Sequence, residues 1–444
     1  MNSSKVAHVG VLTVLVLAVA VGCGFDDRES SQISAPSRSE SPVDTASLQT
    51  YFVAPWGNDD ETGDFRNPWR SIQKAVDTAQ PGSTVLLNGG EYEPFVVRQS
   101  GLRVAPVPGD LVVVRGASSA ADVVLIAADD VSVSRITVAG CVPDQGSLAS
   151  DRSGIRIDDG ANGVKLSSLV VRDSYGSNAE GMPIGCHGIL IHNAANASVS
   201  DSDIFGNGDG IYVEGGENNR ITNNKIHDNN VLIRNTGSIA GDDFGSVGIY
   251  FSNVKRGAVA ARNEIYNNSG PSQDYGSYGS AVGIFDSSYI AVLGSNIFNN
   301  ERVLETGASG GGDCANNVFD QNSSGGRVDG STLERSQGLL LRCARGMRIT
   351  NNSFRSLDGE AFQIGSADPY ATSVAGLSIT TNNVEQGSAP AYRLGLPPSE
   401  LGGVQIDNNK YRITEAFADT GSESVASLEA WQALTGFDVE STAY

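Results

Sequence analysis

A short polar phrase that recurs along this chain constrains its fold more than any other feature. Each copy places an apolar residue just after a polar, mostly asparagine-containing pair, and the closest copies lie about 22 residues apart. The copies are SDSDIFGN at 200–207, ITNNKIHDN at 221–229, ARNEIYNN at 261–268, GSNIFNN at 294–300, ANNVFDQN at 315–322, ITNNSFRS at 349–356 and ITTNNVEQ at 379–386. The apolar residues are Ile204, Ile226, Ile265, Ile297, Val318, Phe354 and Val384. A period of this size, built from short β-rich segments, is typical of a solenoid.

A second phrase lies between these copies and alternates apolar with variable positions. It reads GIRID at 154–158, GILIH at 188–192, GIYVE at 210–214, GIYF at 248–251 and GIF at 283–285. Period-two alternation indicates β-strands with one buried face. The predicted inward side chains are Ile155, Ile157, Ile189, Ile191, Ile211, Val213, Ile249 and Phe251. The predicted outward side chains are Arg156, Asp158, Leu190, His192, Tyr212, Glu214 and Tyr250.

Asparagine suits the corners of such coils, because it tolerates left-handed backbone angles and its side chain can hydrogen-bond its own turn. Amides stacked at one corner can also bond the amides of the coils above and below. Each coil then pairs its strands with the next coil, in parallel and in register. The repeats therefore predict an all-β fold, a right-handed parallel β-helix of about nine or ten coils between residues 85 and 415.

A helix is predicted to cap each end of the solenoid, where unpaired strand edges would otherwise be exposed. The N-terminal helix is predicted over residues 71–80, ahead of Pro81-Gly82, with an apolar face made of Ile72, Ala75, Val76 and Ala79. The C-terminal helix is predicted to end at Gly436, with an apolar stripe made of Leu428, Trp431 and Leu434.

Two terminal segments resemble a known family. The segment YFVAPWGNDDETGDFRNPWRSIQKAVDTAQPGSTVLLNGGEYEP at 51–94 resembles the entry segment of extracellular right-handed parallel β-helix proteins of the pectate-lyase-like superfamily. The segment SLEAWQALTGFDVES at 427–441 resembles the closing segment of many of the same proteins. Together with the repeat, the resemblance spans nearly the whole mature chain. It implies the fold and, by association only, a carbohydrate-related role, because one fold hosts many activities.

The first 22 residues have the layout of a secretory signal. Lys5 precedes a nearly continuous apolar run from Val9 to Val21, which is too short for a comfortable membrane span. The run ends in Ala20-Val21-Gly22-Cys23, which resembles a bacterial lipobox and implies lipidation of Cys23. The alternative is a plain signal peptide in which Cys23 is incidental.

The predicted organisation follows from this reading. Residues 1–22 form a lipoprotein signal peptide, residues 23–48 form a flexible tether rich in Ser, Pro, Asp and Glu, and residues 49–444 form one β-helix domain. The protein is expected outside the cytoplasm, lipid-anchored to the bacterial cell membrane.

Four cysteines remain after removal of the signal. In an exported chain they indicate two disulfides, and sequence order favours Cys141–Cys186 and Cys314–Cys343. The alternative is four buried free thiols.

The net charge of −21 argues against binding nucleic acid or an anionic membrane surface through broad electrostatics. Contact with the membrane is therefore expected through the lipid anchor only, and the protein is expected to be a monomer.

Insertions into the repeat are the best pointer to a site, because the regular coils give stability and the departures give function. Four insertions follow an asparagine phrase and precede the next strand, at about 173–187, 235–246, 269–281 and 301–336. Since they share one register, they are expected to leave the coil along one edge and stack into a wall. The outward strand residues would line a groove beside that wall.

This groove is predicted to hold a carbohydrate-active site. The candidate catalytic residues are Asp158 and Glu214, as the paired carboxylates of glycoside hydrolysis, and His192 for proton transfer. The candidate substrate-binding residues are Arg156, His187, Tyr212 and Tyr250. Alternatively, Asp209, Asp242 and Asp243 are candidate ligands for Ca²⁺, which would acidify the proton beside a uronic carboxylate for β-elimination, with His192 or Arg156 as base.

The resemblance transfers no catalytic residue to this chain. The Asp-Lys constellation of pectate lyases, the Lys-Arg pair of alginate lyases and the Asp-Pro-His sequence of mannuronan epimerases are not matched. The run Asp158-Asp159-Gly160 lacks the other elements of polygalacturonases.

Two hypotheses of different classes follow. The first is an extracytoplasmic polysaccharide-degrading enzyme, a lyase or a glycoside hydrolase acting on a glycan in the groove. The second is a noncatalytic surface lipoprotein that binds glycans or an envelope partner through the same groove.

Overall fold

The strands form three long parallel sheets. The computed structural model describes residues 49–117, 121–309, 312–326 and 336–444. The predicted signal peptide, Cys23 and the tether lie outside these ranges. No helix in the described part of the chain is long and apolar enough to cross a membrane.

Each sheet contains 13 strands. The first sheet comprises Thr50–Val53, Thr84–Leu87, Arg103–Pro106, Ser132–Ser134, Lys165–Ser167, Ser198–Ser200, Asn219–Thr222, Ala258–Ala261, Ile290–Leu293, Val318–Asp320, Arg348–Thr350, Ser378–Thr380 and Gln405–Asp407. The second sheet comprises Gly90–Tyr92, Val112–Arg115, Thr137–Ala139, Val170–Arg172, Asp203–Phe205, Lys225–His227, Glu264–Tyr266, Asn296–Phe298, Ser323–Gly325, Ser353–Arg355, Asn383–Gln386, Lys410–Ile413 and Thr442–Ala443. The third sheet comprises Phe95–Val97, Asp122–Ile126, Ser153–Ile157, His187–His192, Asp209–Glu214, Val247–Ser252, Ser280–Phe285, Arg302–Gly307, Gln337–Leu341, Phe362–Ile364, Tyr392–Leu394, Ala418–Asp419 and Ser424–Val425.

The chain visits the first, second and third sheet in turn and then repeats the circuit one coil further on. This is the predicted parallel β-helix, and it is longer than predicted, since the sheets extend from Thr50 to Ala443. The repeat phrase marks only the coils in the middle of the chain. The earlier coils lack the paired asparagines of the phrase, and so they escape a search for it.

The predicted inward residues form the core. All eight, from Ile155 to Phe251, have no exposed side-chain surface. Six of the seven apolar residues of the asparagine phrase are equally buried, but Val318 is an exception. Val318 begins a first-sheet strand and is half-buried, and Ser324 holds the inward position on the following second-sheet strand. That copy of the phrase lies one corner earlier in the coil, so its apolar residue does not take the inward position.

The two members of each asparagine pair have different structural roles at the corners. In pairs such as Asn223-Asn224 and Asn351-Asn352, the first residue takes the left-handed backbone conformation, with φ of 58° and 57°. The second residue is buried, and its amide bonds the amide of the next coil, as in Asn352 Nδ2 to Asn382 Oδ1 at 3.0 Å. The predicted ladder of stacked amides is therefore present.

Two short helices cover the ends of the solenoid. Helix α1 spans Ile72–Thr78 and buries Ile72, Ala75 and Val76. Helix α2 spans Leu428–Thr435, buries Leu428 and Trp431, and ends at Gly436 in the left-handed conformation. Leu434 does not join the buried stripe as predicted but lies exposed, because the helix ends one residue later and nothing packs over its last turn.

Candidate functional site: a cleft on the third sheet

Three β-hairpins project from the corner between the second and third sheets. Hairpin 1 pairs Tyr175–Ser177 with Pro183–Gly185, hairpin 2 pairs Leu232–Arg234 with Phe244–Gly245, and hairpin 3 pairs Gly270–Ser272 with Gly276–Tyr278. They coincide with the first three predicted insertions. The fourth, 301–336, is mostly another coil of the solenoid with strands Arg302–Gly307, Val318–Asp320 and Ser323–Gly325, and its residues 327–335 lie outside the description.

The hairpins form one wall because their polar groups bond from one hairpin to the next. Asn178 Nδ2 of hairpin 1 donates to the carbonyl of Asn235 at 2.9 Å, and Asn235 Nδ2 donates to the carbonyl of Pro271 at 3.2 Å. Asp274 of hairpin 3 accepts the backbone N–H groups of residues 241, 242 and 243 of hairpin 2. The predicted wall is therefore present, built from three insertions.

Loops that follow the third-sheet strands form the opposite wall. The loop after Phe362–Ile364 turns back so that the Tyr370 ring meets the Phe285 ring edge-on at 6.1 Å. The Ala308 N–H donates to the Tyr370 carbonyl at 2.9 Å. Asp286 accepts both the N–H and the hydroxyl of Ser309, at 3.0 and 2.8 Å. This loop reaches back over several coils, which no local sequence pattern indicates.

A disulfide braces each wall. Cys141 is bonded to Cys186 beside hairpin 1, and Cys314 is bonded to Cys343 in the opposite loops, with Cα–Cα distances of 6.2 and 5.5 Å. These are the two pairings expected from sequence order. Disulfides of this kind persist in oxidising compartments, which indicates an extracytoplasmic location.

The floor of the cleft is a column of outward residues, one from each third-sheet strand. Parallel pairing places Arg156, Leu190, Tyr212, Tyr250, Gly283, Glu305 and Leu340 in this order. The Tyr212 and Tyr250 rings lie 5.2 Å apart, and the Phe285 ring lies 5.3 Å from Tyr250. Burial raises the pKa of Tyr212 to about 12 and that of Tyr250 well above its usual value, so both phenols keep their protons.

Two glycines make room for these rings. A Cβ on Gly283 would lie 2.4 Å from Tyr250 Cδ2, and a Cβ on Gly307 would lie 2.6 Å from Phe285 Cε1. Each ring therefore lies across the backbone of the next coil instead of standing upright. The result is an open cavity of about 590 Å³ that runs from Tyr212 to Arg342 between the walls.

The deep end of the cavity contains a buried ionic group, which we call the Glu305 cluster (Glu301, Arg302, Glu305 and Arg342). The Arg302 Nη1 lies 2.5 Å from Glu305 Oε2, and Arg342 contacts the other oxygen of the same carboxylate. The Glu305 side chain is only 5% exposed. Burial lowers the pKa of Arg302, but Glu305 and Tyr278 outweigh it and raise the pKa overall. The two guanidiniums place positive charge on both sides of the Glu305 carboxylate.

Glu301 and Asp286 supply further buried carboxylates at the same end. The Ser277 hydroxyl of hairpin 3 donates to Glu301 Oε2 at 2.7 Å, and both carboxylates are less than a tenth exposed. Since isolated carboxylates are costly to bury, a group of three at one end of a cavity indicates a site and not a requirement of the coil.

Four of the predicted site residues lie on the same sheet beyond the Tyr212 edge of the cavity, at what we call the shallow end of the cleft. They form the His192 cluster (Arg156, Asp158, His192 and Glu214), and none of them lines the cavity itself. Arg156 Nε donates to Asp158 Oδ1 at 3.0 Å, and Arg156 Nη2 donates to His192 Nδ1 at 3.0 Å. On the other side of the ring, His192 Nε2 lies 3.7 Å from Glu214 Oε2 and 3.3 Å from Asn193 Nδ2. These side chains are between 23% and 40% exposed.

The structure separates two of the remaining candidates from solvent. His187 and Asp209 are both buried, with His187 Nδ1 3.2 Å from Asp209 Oδ2 in a direction that makes no hydrogen bond. The His187 ring packs on Tyr212 at 4.8 Å, and Asp209 accepts the Val247 N–H at 3.0 Å. His187 therefore supports Tyr212 from below and offers little surface to a substrate.

The acidic group that could hold a cation is Asp242, Asp243 and Asp274, whose oxygens lie within 4.8 Å of one another. Asp209, also predicted as a ligand, lies instead beside His187. Asp243 Oδ2 accepts the Ser272 hydroxyl and two backbone N–H groups, and Asp274 Oδ2 accepts three N–H groups. These donors already neutralise much of the charge, so the group fits the role of a hairpin clasp at least as well as that of a cation site.

The Glu305 cluster was missed in the sequence because its strand lacks the usual alternation. The strand Arg302–Gly307 has no Gly-Ile start, and Thr306 fills an inward position that Ile or Val occupies elsewhere. The signal that would have found it is the register, since Glu305 follows Tyr212, Tyr250 and Gly283 in the floor column.

Comparisons with known proteins agree with this architecture. A family model described as "Right handed beta helix region" matches residues 123–332. Pectate lyase PEL9 of Emericella nidulans is 45% identical over 58 residues, which are 12% of this chain and 14% of that protein.

Two solved structures are similar in fold. The DFA-IIIase of Arthrobacter chlorophenolicus A6 without its lid has a TM-score of 0.54 at 14% identity, covering 85% of this chain and 98% of that one. The Dettilon tailspike protein has a TM-score of 0.51 at 16% identity, covering 78% of this chain and 64% of that one. The chain thus spans a small part of the pectate lyase and just under two thirds of the tailspike. The chain has a right-handed parallel β-helix fold, and the structural likenesses establish the fold alone.

Proposed function

We propose that this protein is an extracytoplasmic enzyme that degrades a polysaccharide bound in the cleft on the third sheet. The observation that carries the proposal is a cavity of about 590 Å³ with an aromatic floor that ends in the buried Glu305 cluster. Aromatic rings suit the apolar faces of sugars, and carboxylates in a water-poor pocket suit acid–base chemistry on glycosidic bonds.

The fold similarities support the carbohydrate class only in a general way. A pectate lyase matches a short segment, and a tailspike and a DFA-IIIase share the coil. Because those identities are low or local, the polysaccharide, the linkage and the reaction are proposals that rest on the cleft itself.

Within the cleft, we assign the chemistry to the Glu305 cluster and sugar binding to Tyr212, Tyr250 and the His192 cluster. The Glu305 end is enclosed by hairpin 3 and Tyr370, so water can be excluded when a sugar is bound. The sequence-based alternative, with Asp158, Glu214 and His192 as catalytic groups, places the reaction at the more exposed end.

The test is turnover of a polysaccharide panel by the purified full chain, following reducing ends and the absorbance of unsaturated uronates together. The variants Glu305→Gln, Glu301→Gln, Glu214→Gln and His192→Ala would be compared with Glu264→Gln, a matched control on the second sheet outside the cleft. Loss of turnover in the Glu305 and Glu301 variants is expected, with Glu264→Gln unchanged. Tight binding of a glycan by wild type without any product would favour the noncatalytic binder instead.

A further inference from the structure

Each guanidinium group that lines the cavity is already paired with a carboxylate of the protein. Arg302 donates from Nε and Nη2 to Gln337 Oε1, at 3.1 and 2.9 Å, and from Nη1 to Glu305. Arg342 bonds Glu305 and Asp368 and lies between the Phe285 and Tyr370 rings, at 5.6 and 5.3 Å. Among the described lining residues, therefore, no cation is left to pair with an incoming anion.

Carboxylates outnumber guanidiniums along the same cavity. The charged lining residues are Asp242, Asp243, Asp286, Glu301, Glu305, Arg302 and Arg342, a formal excess of three negative charges. Two like charges about 8 Å apart repel by about 2 kcal/mol at an effective dielectric constant of 20. Each uronate carboxylate of a polyanionic chain would meet this repulsion without a compensating partner.

A bound divalent cation could offset this repulsion, but the acidic group of hairpins 2 and 3 is poorly suited to bind one. Two of its carboxylate oxygens each accept three hydrogen bonds from the hairpins themselves. A cation there would have to displace donors that hold the wall together.

The same lining suits an uncharged sugar. Carboxylate oxygens accept hydrogen bonds from sugar hydroxyls, and Tyr250 and Phe285 offer ring surface. Five coils line the cavity, and at about 4.8 Å per coil they span about 19 Å, enough for a short oligosaccharide.

We infer that the cleft takes a glycan whose sugars carry no carboxylate and that it cleaves this glycan by hydrolysis, not by β-elimination; this inference rests on the proposed function. In the reaction, a carboxylic acid of the cluster gives its proton to the glycosidic oxygen, and the bond from that oxygen to the anomeric carbon breaks. The oxygen of a water molecule bonds to the anomeric carbon, and the proton released by this water passes to a carboxylate. Glu305, which lies between two guanidiniums, serves as the carboxylate.

The experiment incubates the full chain with two substrate sets, each with calcium and with chelator. One set contains xylan, galactan, β-glucan and fructan; the other contains polygalacturonate and alginate. We expect the protein to release reducing ends from a neutral glycan, with no gain in the absorbance of unsaturated uronates. The rate of release should be the same with calcium and with chelator. Absorbance gain on a polyuronate would overturn the inference and leave the proposed function standing. Silence on both sets would overturn both.

Salt dependence on the cleaved glycan gives an independent readout. For an uncharged substrate, KM should change less than about twofold between low and high salt, because no substrate charge is screened. A KM that falls steeply as salt rises would mean that an anionic chain is entering against repulsion and would contradict the inference. In the Asp286→Asn variant, KM should also change little with salt concentration. The same is expected of the Glu264→Gln control.

Discussion

The two ends of the cleft differ in depth and in the way their charges are held. At the shallow end, the His192 cluster is between 23% and 40% exposed, and its contacts join neighbouring coils. At the deep end, Glu305 is 5% exposed and its carboxylate lies between two arginines. The coil is the same at both ends, so the difference comes from what covers it.

The covering elements are hairpin 3 and the loop that carries Tyr370. They bring Tyr278, Ser277 and Tyr370 over the floor at the deep end. Desolvation strengthens every interaction among charged groups there, whereas water screens those at the shallow end. The comparison shows that the insertions, and not the strand residues alone, decide which outward positions on the third sheet become buried.

The largest expected effect is on turnover. Glu305→Gln should reduce kcat by about 10²–10⁴-fold, as loss of an acid–base group does, whereas Glu214→Gln should reduce it less than about tenfold. Parallel kinetics on the polysaccharide that wild type cleaves would check both values. The reverse ranking would place the chemistry at the shallow end and break the comparison.

The next effect is on stability. Glu305→Gln removes the carboxylate that the buried guanidiniums of Arg302 and Arg342 share, and it leaves Arg342 paired with Asp368 alone. The free energy of unfolding should therefore fall by about 3–5 kcal/mol. Denaturant unfolding would measure it, with Glu264→Gln as the control that should stay near wild type. If Glu305→Gln unfolds like wild type, the deep end is wetter than its burial indicates.

The cleft floor is tested by Gly283→Ala. Its new Cβ would lie 2.4 Å from Tyr250 Cδ2 and push the ring into the cavity, so KM should rise about tenfold. Gly325→Ala is the matched control, because its Cβ would meet only the Phe298 Cβ at 3.8 Å on the second sheet. Equal kinetics in the two variants would show that the Tyr250 ring does not contact substrate.

The smallest effect concerns pH at the shallow end. Burial raises the pKa of Asp158, but the Asp159 N–H and the Arg156 guanidinium outweigh it and lower the pKa overall. The ionised form therefore stabilises the fold above the unfolded-state pKa, and this contribution is lost as pH falls through the lowered folded value. Asp158→Asn should cost under about 1 kcal/mol at pH 7, as expected for an exposed pair.

This cost should shrink as pH falls below the unfolded-state pKa and through the lowered folded value, which thermal unfolding at pH 7 and in acid would check. A larger cost that persists in acid would mean that Asp158 is held by more than its charge.

Much of the fold could be predicted from local patterns. Alternation at residues such as Ile189 and Ile191 is visible in seven or fewer residues, because a strand exposes its two faces in turn. The paired asparagines are equally visible, since the left-handed corner and the buried amide ladder both favour that residue. Leu434 was misplaced because helix ends vary by a residue or two.

The candidate site likewise contains residues that local patterns predict and residues that they do not. Arg156, Asp158, His192 and Glu214 lie on strands with a clear Gly-Ile start, so the predicted coil register brings them together. Glu305 lies on a strand whose alternation Thr306 interrupts, and Tyr370 reaches the cleft from a loop several coils away.

The amino-acid sequence by itself determined the coil, its corners and the edge from which the hairpins leave, because each depends on interactions repeated every coil. Only the tertiary structure decided where the cleft is deep and which carboxylates are buried there. Those features depend on single, non-repeated contacts between distant segments, such as Glu301 with Ser277 and Phe285 with Tyr370. No repeat in the sequence indicates such contacts, because the burial of a polar group depends on all the segments that pack around it.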